Sequence, residues 1–85
     1  EKFSFYPNPV ADDLIHVKIA LNKAQNLTLI LQDLSGKKIA TIYKGKVEGR
    51  SFSKEIDLPD GLKAGLYVIA MVSESEVISR RIIIR

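Results

Sequence analysis

The 85-residue sequence has no cysteine and no tryptophan, one methionine and one histidine, and its benzenoid rings are limited to three tyrosines and three phenylalanines. Without cysteine there is no disulfide framework, no thiol nucleophile and no thiolate metal site. The absence says little about compartment, but since small extracellular domains without disulfides are common in bacteria and less so in animal secretions, a bacterial source is the expectation. His16, the single histidine, leaves little from which to build a zinc site. No apolar run approaches the roughly 18 residues that a bilayer-spanning helix needs. No signal-peptide pattern is seen, and the chain opens at Glu1 instead of Met, so it is expected to be a piece of a longer protein.

Charge of one sign is also scarce. Thirteen Lys and Arg oppose ten Asp and Glu, a net charge of +3. Lys2, Lys18, Lys23, Lys44, Lys54 and Lys63 stand alone in the sequence. Nucleic-acid binding calls for a dense basic stripe with aromatic residues interleaved, and neither is present. What is present is an ordinary globular balance, 46% apolar and 27% charged. The length suits one domain spanning residues 1–85, able to bury roughly 60% of its unfolded surface.

The apolar pattern has the period of strands. Ile15, Val17, Ile19 and Leu21 alternate with His16, Lys18, Ala20 and Asn22. Leu27, Leu29 and Leu31 repeat the alternation, "DLSGKK" makes a turn at Gly36, and Ile39 to Tyr43 returns as a hairpin strand. "KGKVEG" is read as the next break, and Phe52, Ile56 and Leu58 as a half-exposed edge. After the turn cluster "LPDGLKAG", "LYVIAMV" is apolar enough for a central strand buried on both faces. "VISRRIIIR" closes the chain, with Ile78, Ile82 and Ile84 on one parity and Arg80 interrupting it. With an opening strand near Phe3 to Tyr6, this predicts an all-β fold, a small antiparallel immunoglobulin-like sandwich of about seven strands.

"FYPNPVADDLIHV" begins that sandwich stiffly. Pro7 and Pro9 fix their own φ and bias Tyr6 and Asn8 toward extended backbone. Neither proline can donate to a ladder, so the segment belongs at an edge or between sheets. Asn8 can bond nearby backbone, and Asp12 can cap a turn before the strand starting at Leu14.

Chemistry-bearing groups are sparse. His16 shares a face with Lys18 and is expected to be solvated, with no nucleophile and acid paired to it in the sequence. Asp12 with Asp13, and Asp57 with Asp60, offer carboxylates, but the EF-hand spacing is absent and loop calcium would need carbonyls to complete it. Glu74 and Glu76 in "SESE" read as solubilising charges at a hairpin tip. Tyr6, Tyr43 and Tyr67 are offered for sugar stacking, yet core packing competes for all three, and a buried Tyr67 hydroxyl should find a backbone partner. No cofactor and no enzymatic activity are expected. Arg80, Arg81 and Arg85 surround "III" in the last strand, which is either a charge-protected edge or a strand offered to a partner.

Four stretches in order, "YPNPVADDLIHV", "LQDLSGKKI", "IDLPDGLKAGLYVIAMV" and "SRRIIIR", together resemble the type A C-terminal sorting domain of the type IX secretion system of Bacteroidetes. The "PDGLK" stretch is slightly long for the family's turn. The resemblance implies an immunoglobulin-like sandwich at the end of a cargo protein held in cis. It implies transit of the periplasm, passage through an outer-membrane translocon with its shuttle proteins, and a final place at the cell surface or in the medium. It also implies a sortase-like cysteine protease that removes the domain near or before Glu1. By position, Pro7, Asn8 and Pro9 would fix the junction to the cargo, Gly36 and Gly65 would permit turns, and Tyr67 would anchor the core. Arg80, Arg81, Ile82, Ile83, Ile84 and Arg85 would be the segment read by the machinery, through an exposed strand edge. An isolated copy has a strand-exchanged dimer open to it. The alternatives are a carbohydrate-binding or adhesive sandwich module and an inert spacer of fibronectin type.

Overall fold

A computed structural model describes residues 3–85. Seven strands occur in it: β1 (Phe3–Tyr6), β2 (Leu14–Ala20), β3 (Gln25–Gln32), β4 (Lys38–Val47), β5 (Ser51–Asp57), β6 (Gly65–Ser73) and β7 (Val77–Ile84). They form a three-stranded sheet in the order β1-β2-β5 and a four-stranded sheet in the order β4-β3-β6-β7. Every neighbouring pair is antiparallel. The two sheets face each other as an immunoglobulin-like sandwich.

Alternation fixes which face of each strand is buried. Ile15, Val17 and Ile19 of β2 pack with Leu27, Leu29 and Leu31 of β3, and Phe3, Ile69, Met71, Ile82 and Ile84 complete the centre. Removing each such side chain from water contributes about 1.5–3 kcal/mol, which is what offsets chain entropy in so small a fold. Gln25 is the one buried polar residue among those described, and it is fully used. Its Nε2 donates to Asn22 Oδ1 (3.1 Å) and to the Lys23 carbonyl (3.3 Å), while its Oε1 accepts from the Glu74 amide (3.0 Å).

Several expectations change. The segment "KGKVEG" is not a break at its start, because β4 continues through Lys44 to Val47. Gly45 serves packing there: a Cβ at that position would lie 3.0 Å from the Tyr43 hydroxyl, which occupies the space instead. The run from Leu66 to Val72 is buried on both faces only at Ile69, Ala70 and Met71, since Leu66 at its start is 37% exposed. Glu74 is more than a solubilising charge, because its Oε2 accepts the Asn26 amide at 2.8 Å and fastens the β6–β7 tip to β3. β5 is the edge that its pattern implies. Lys54, paired opposite buried Val17, directs a charge to the inner face of that edge, a device that blocks pairing with another chain.

Candidate functional site

The last strand divides its residues between two environments. Ile82 and Ile84 are core residues, 0% and 2% exposed, and Arg80 shares their parity. Arg80 is half-buried as a residue and lines the open side of the sandwich with Phe3, Phe5 and Asn8, and its Nη1 donates to the Ser79 carbonyl at 3.2 Å. Arg81, Ile83 and Arg85 face outward and are exposed. Six consecutive residues proposed as one recognition segment are therefore two core isoleucines, one half-buried arginine and three residues that meet solvent.

The outer edge of this strand is not open along its whole length. Asn8 sits beside it, its Oδ1 accepting from the Ile83 amide (2.9 Å) and its Nδ2 donating to the Arg81 carbonyl (3.4 Å). Two residues later, Val10 donates from its amide to the Ile83 carbonyl and accepts from the Arg85 amide, both at 2.8 Å, and it forms a parallel bridge to Ile84. The chemistry of "PNPV" explains this arrangement. Pro7 and Pro9 have no N–H to offer a neighbouring strand, so the Asn8 side-chain amide supplies the donor and acceptor that a backbone would. Both the Tyr6–Pro7 and Asn8–Pro9 peptides are cis. Residues 7–10 thus cross from the three-stranded sheet to the four-stranded one and strap the end of β7. The expected exposed edge survives only before Arg81, where no strand lies outside β7 among the described residues.

The other residues singled out fall in turns. The turn after this crossing depends on Asp13, which has a φ of 59° and accepts from the Leu58 amide at 2.8 Å, while the exposed Asp12 carboxylate has no hydrogen bond among the described residues. Gly36 has a φ of 90° in the β3–β4 turn, which asparagine or aspartate tolerates poorly and other side chains worse. The organiser of that turn is Asp33, which sequence reading overlooked. Its Oδ1 accepts from the Ser35 hydroxyl (2.6 Å), the Ser35 amide (2.9 Å) and the Lys37 amide (3.0 Å). The Ser35 hydroxyl bond, helped by the Lys37 amide, holds the Asp33 carboxyl below its usual range. The "PDGLK" stretch turns at Asp60 and Gly61, the latter with a φ of 77°. Gly65 opens β6 with a φ of 154°.

Tyr67 is half-buried against the core, and its hydroxyl donates to the Lys63 carbonyl at 2.6 Å, four residues upstream. A tyrosine at the start of the sixth strand, bonded back into the loop before it, is the tyrosine corner of immunoglobulin-like sandwiches. It closes the turn next to the end of β7, where Tyr67 pairs with Ile82.

On the other sheet, Tyr6 is 53% exposed, so core packing has not claimed it. Its ring stacks on His16 with centroids 5.2 Å apart and planes 11° from parallel. His16 is half-buried, not fully solvated, and its Nε2 lies 2.8 Å from Ser53 Oγ. Among the described residues no carboxylate is hydrogen-bonded to the imidazole. The Tyr6–His16 stack borders a shallow groove with Asp12 and Glu55. Tyr43 packs inward, 4.7 Å from the Phe52 ring centroid.

No curated protein matches the chain in sequence. The family model described as "Secretion system C-terminal sorting domain" matches residues 4–85, taking in both the strap at Asn8 and the strand it holds. A sandwich whose opening segment is bound to its last strand, matched from end to end by that model, belongs to the family of secretion-system C-terminal sorting domains.

Proposed function

We propose that this domain is a non-catalytic address label for a larger cargo protein, read at the outward face of its last strand through Arg81, Ile83 and Arg85. Membership of the sorting-domain family makes it a C-terminal signal for type IX secretion, acting on a cargo in cis and leading to the cell surface or the medium. The finer steps are our reading. The cargo crosses the periplasm with this domain attached, shuttle proteins and the outer-membrane translocon recognise the domain, and a sortase-like cysteine protease then removes it. The cleavage expected near or before Glu1 lies outside the described residues.

One observation carries the assignment of the reading face. At the C-terminal end of the chain Arg81, Ile83 and Arg85 are exposed while Ile82 and Ile84 between them are core, so a partner meeting this end of the folded domain meets these three and not the residues they alternate with. Truncating the terminus is a poor test, because removal of Ile82 and Ile84 would unfold the sandwich before any partner met it. Point substitutions separate the two effects. A periplasm-directed fluorescent cargo fused to the chain should reach the surface or medium of a Bacteroidetes host in a translocon-dependent way. The Arg81→Glu/Arg85→Glu variant should remain folded and stay in the periplasm. Unchanged export of that variant would move recognition elsewhere on the domain.

A second reading, a carbohydrate-binding module, has the exposed Tyr6 ring and the adjacent Asp12 and Glu55 carboxylates in its favour. Glycan affinity of the chain that is lost on Tyr6→Ala, together with no translocon-dependent export, would put that reading first.

A further inference from the structure

Charge is divided between the two sheets. The four strands of the β4-β3-β6-β7 sheet contain no aspartate and no glutamate; the carboxylates of the described residues lie in turns or on β5. The registers place Lys38, Lys44 and Lys46 on the outward face of β4, opposite Gln32, Thr28 and Asn26 of β3, and all three lysines are exposed. Arg81 and Arg85 border the same face from β7. Between these margins β6 presents an apolar row of Leu66, Val68, Ala70 and Val72, which Ile30 widens from β3 among the polar Asn26, Thr28 and Gln32.

From this arrangement we infer that the outer face of the four-stranded sheet is a docking surface for a folded protein that presents an apolar strip between two acidic margins. The inference rests on the sorting reading and adds to it a second contact, on the β4 margin, remote from the last strand. Charge complementarity names the partner's chemistry, since five cations on strands that carry no carboxylate, with Glu74 bordering them at the Asn26 end, attract carboxylates and repel a basic surface. The shape favours a protein over a lipid surface. A membrane-seeking face gathers bulky apolar anchors that protrude past its charges, whereas here Ala70 at the centre is only 3% exposed and the larger exposed apolar residues, Leu66 and Ile83, are paired at the β7 side beside Arg81 and Arg85. Its cations also stand on opposite margins, about 14 Å apart across three strand spacings. The face measures roughly 19 by 24 Å at those spacings, so the contact would bury about 900 Å² in total, below the size of a stable complex and suited to a transient one.

The test uses the same cargo fusion, with Lys38→Glu/Lys44→Glu/Lys46→Glu on this face and Lys18→Glu/Lys54→Glu on the other sheet. All five lysines are exposed or at an edge, and circular dichroism checks that the fold is kept; Lys→Gln versions at the same positions provide a milder set. Export should fall roughly tenfold for the β4 glutamate variant, less for its glutamine version, and not at all for the Lys18/Lys54 variant, as expected when charges at a contact margin set the encounter rate. Export equal to the parent's in the β4 variants overturns the docking face and leaves the sorting reading standing. Failure of the parent fusion itself to be exported overturns both. An equal loss in the Lys18/Lys54 variant shows that net charge, not this face, is sensed, and overturns the inference. Flotation with vesicles of equal parts phosphatidylcholine and phosphatidylglycerol should show no binding; flotation abolished by the β4 glutamine version would replace the protein partner with an anionic headgroup.

Discussion

Asn8 Oδ1 accepts the backbone proton of Ile83 across 2.9 Å, joining residues 75 positions apart in the sequence. The same side chain reaches the Arg81 carbonyl, so one amide group does the pairing that the flanking prolines prevent. The two bonds tie the crossing segment to β7, and the one to Arg81 marks where the free part of the β7 edge ends.

Asn8→Ala should therefore lower unfolding free energy by about 1–2 kcal/mol, the usual net value of two hydrogen bonds. Asn8→Asp keeps the acceptor for Ile83 and loses only the donor to Arg81, so it should cost less at neutral pH. Urea denaturation gives the energies. Amide exchange should speed up at Ile83 in the alanine variant and remain slow at Arg85, whose partner is Val10.

Neighbours in β7 should separate cleanly. Ile82→Ala leaves a cavity at a fully buried position and should cost about 2–5 kcal/mol, a large share of the roughly 5–15 kcal/mol typical of a domain. Ile83→Ala, at a position 44% exposed, should cost under about 1 kcal/mol. Denaturation midpoints of the two variants check this, and similar costs would mean that the strand's faces are misassigned.

Tyr67→Phe removes the hydroxyl that closes the loop onto Lys63 and leaves the ring in place. A loss of about 1 kcal/mol is expected, read as a fall in Tm of about 4–8 °C for a domain of this size. A melting point unchanged within error would deny the corner any energetic role.

Acid should loosen the β3–β4 turn through Asp33. Its carboxyl is held below the ordinary value of 3.8, so it binds a proton less readily in the folded chain than in the unfolded one. The stabilisation is complete above the unfolded pKa and is lost as pH falls through the lower folded pKa. An NMR titration should place the Asp33 side-chain midpoint below that of a free aspartate. In Ser35→Ala, which removes the largest cause, the midpoint should move back toward the ordinary value.

Strand existence was legible because alternation is local. Ile15 to Ile19, Leu27 to Leu31 and the Ile78–Ile82–Ile84 parity each announce a buried face within a few residues. Even the interruption by Arg80 was visible, and the structure places that residue on the inner parity, half-buried at the open side of the sandwich. What sequence reading missed depends on contacts made across the fold. Nothing near Gln25 signals that its amide will be enclosed by Asn22, Lys23 and Glu74. Gly45 reads as a breaker until Tyr43 is seen over it. The edge of β7 looked open because the segment that covers its end lies at the other end of the sequence.

Val10 and Ile84 run parallel, so a pull on the chain before Phe3 and a grip on Arg85 would load their bridge in shear. The Val10–Ile83, Arg85–Val10 and Asn8–Ile83 bonds would then bear tension together instead of opening one by one. Under traction from a cargo the strap is a mechanical clamp, and its strength is set by an unfolding rate rather than by equilibrium stability.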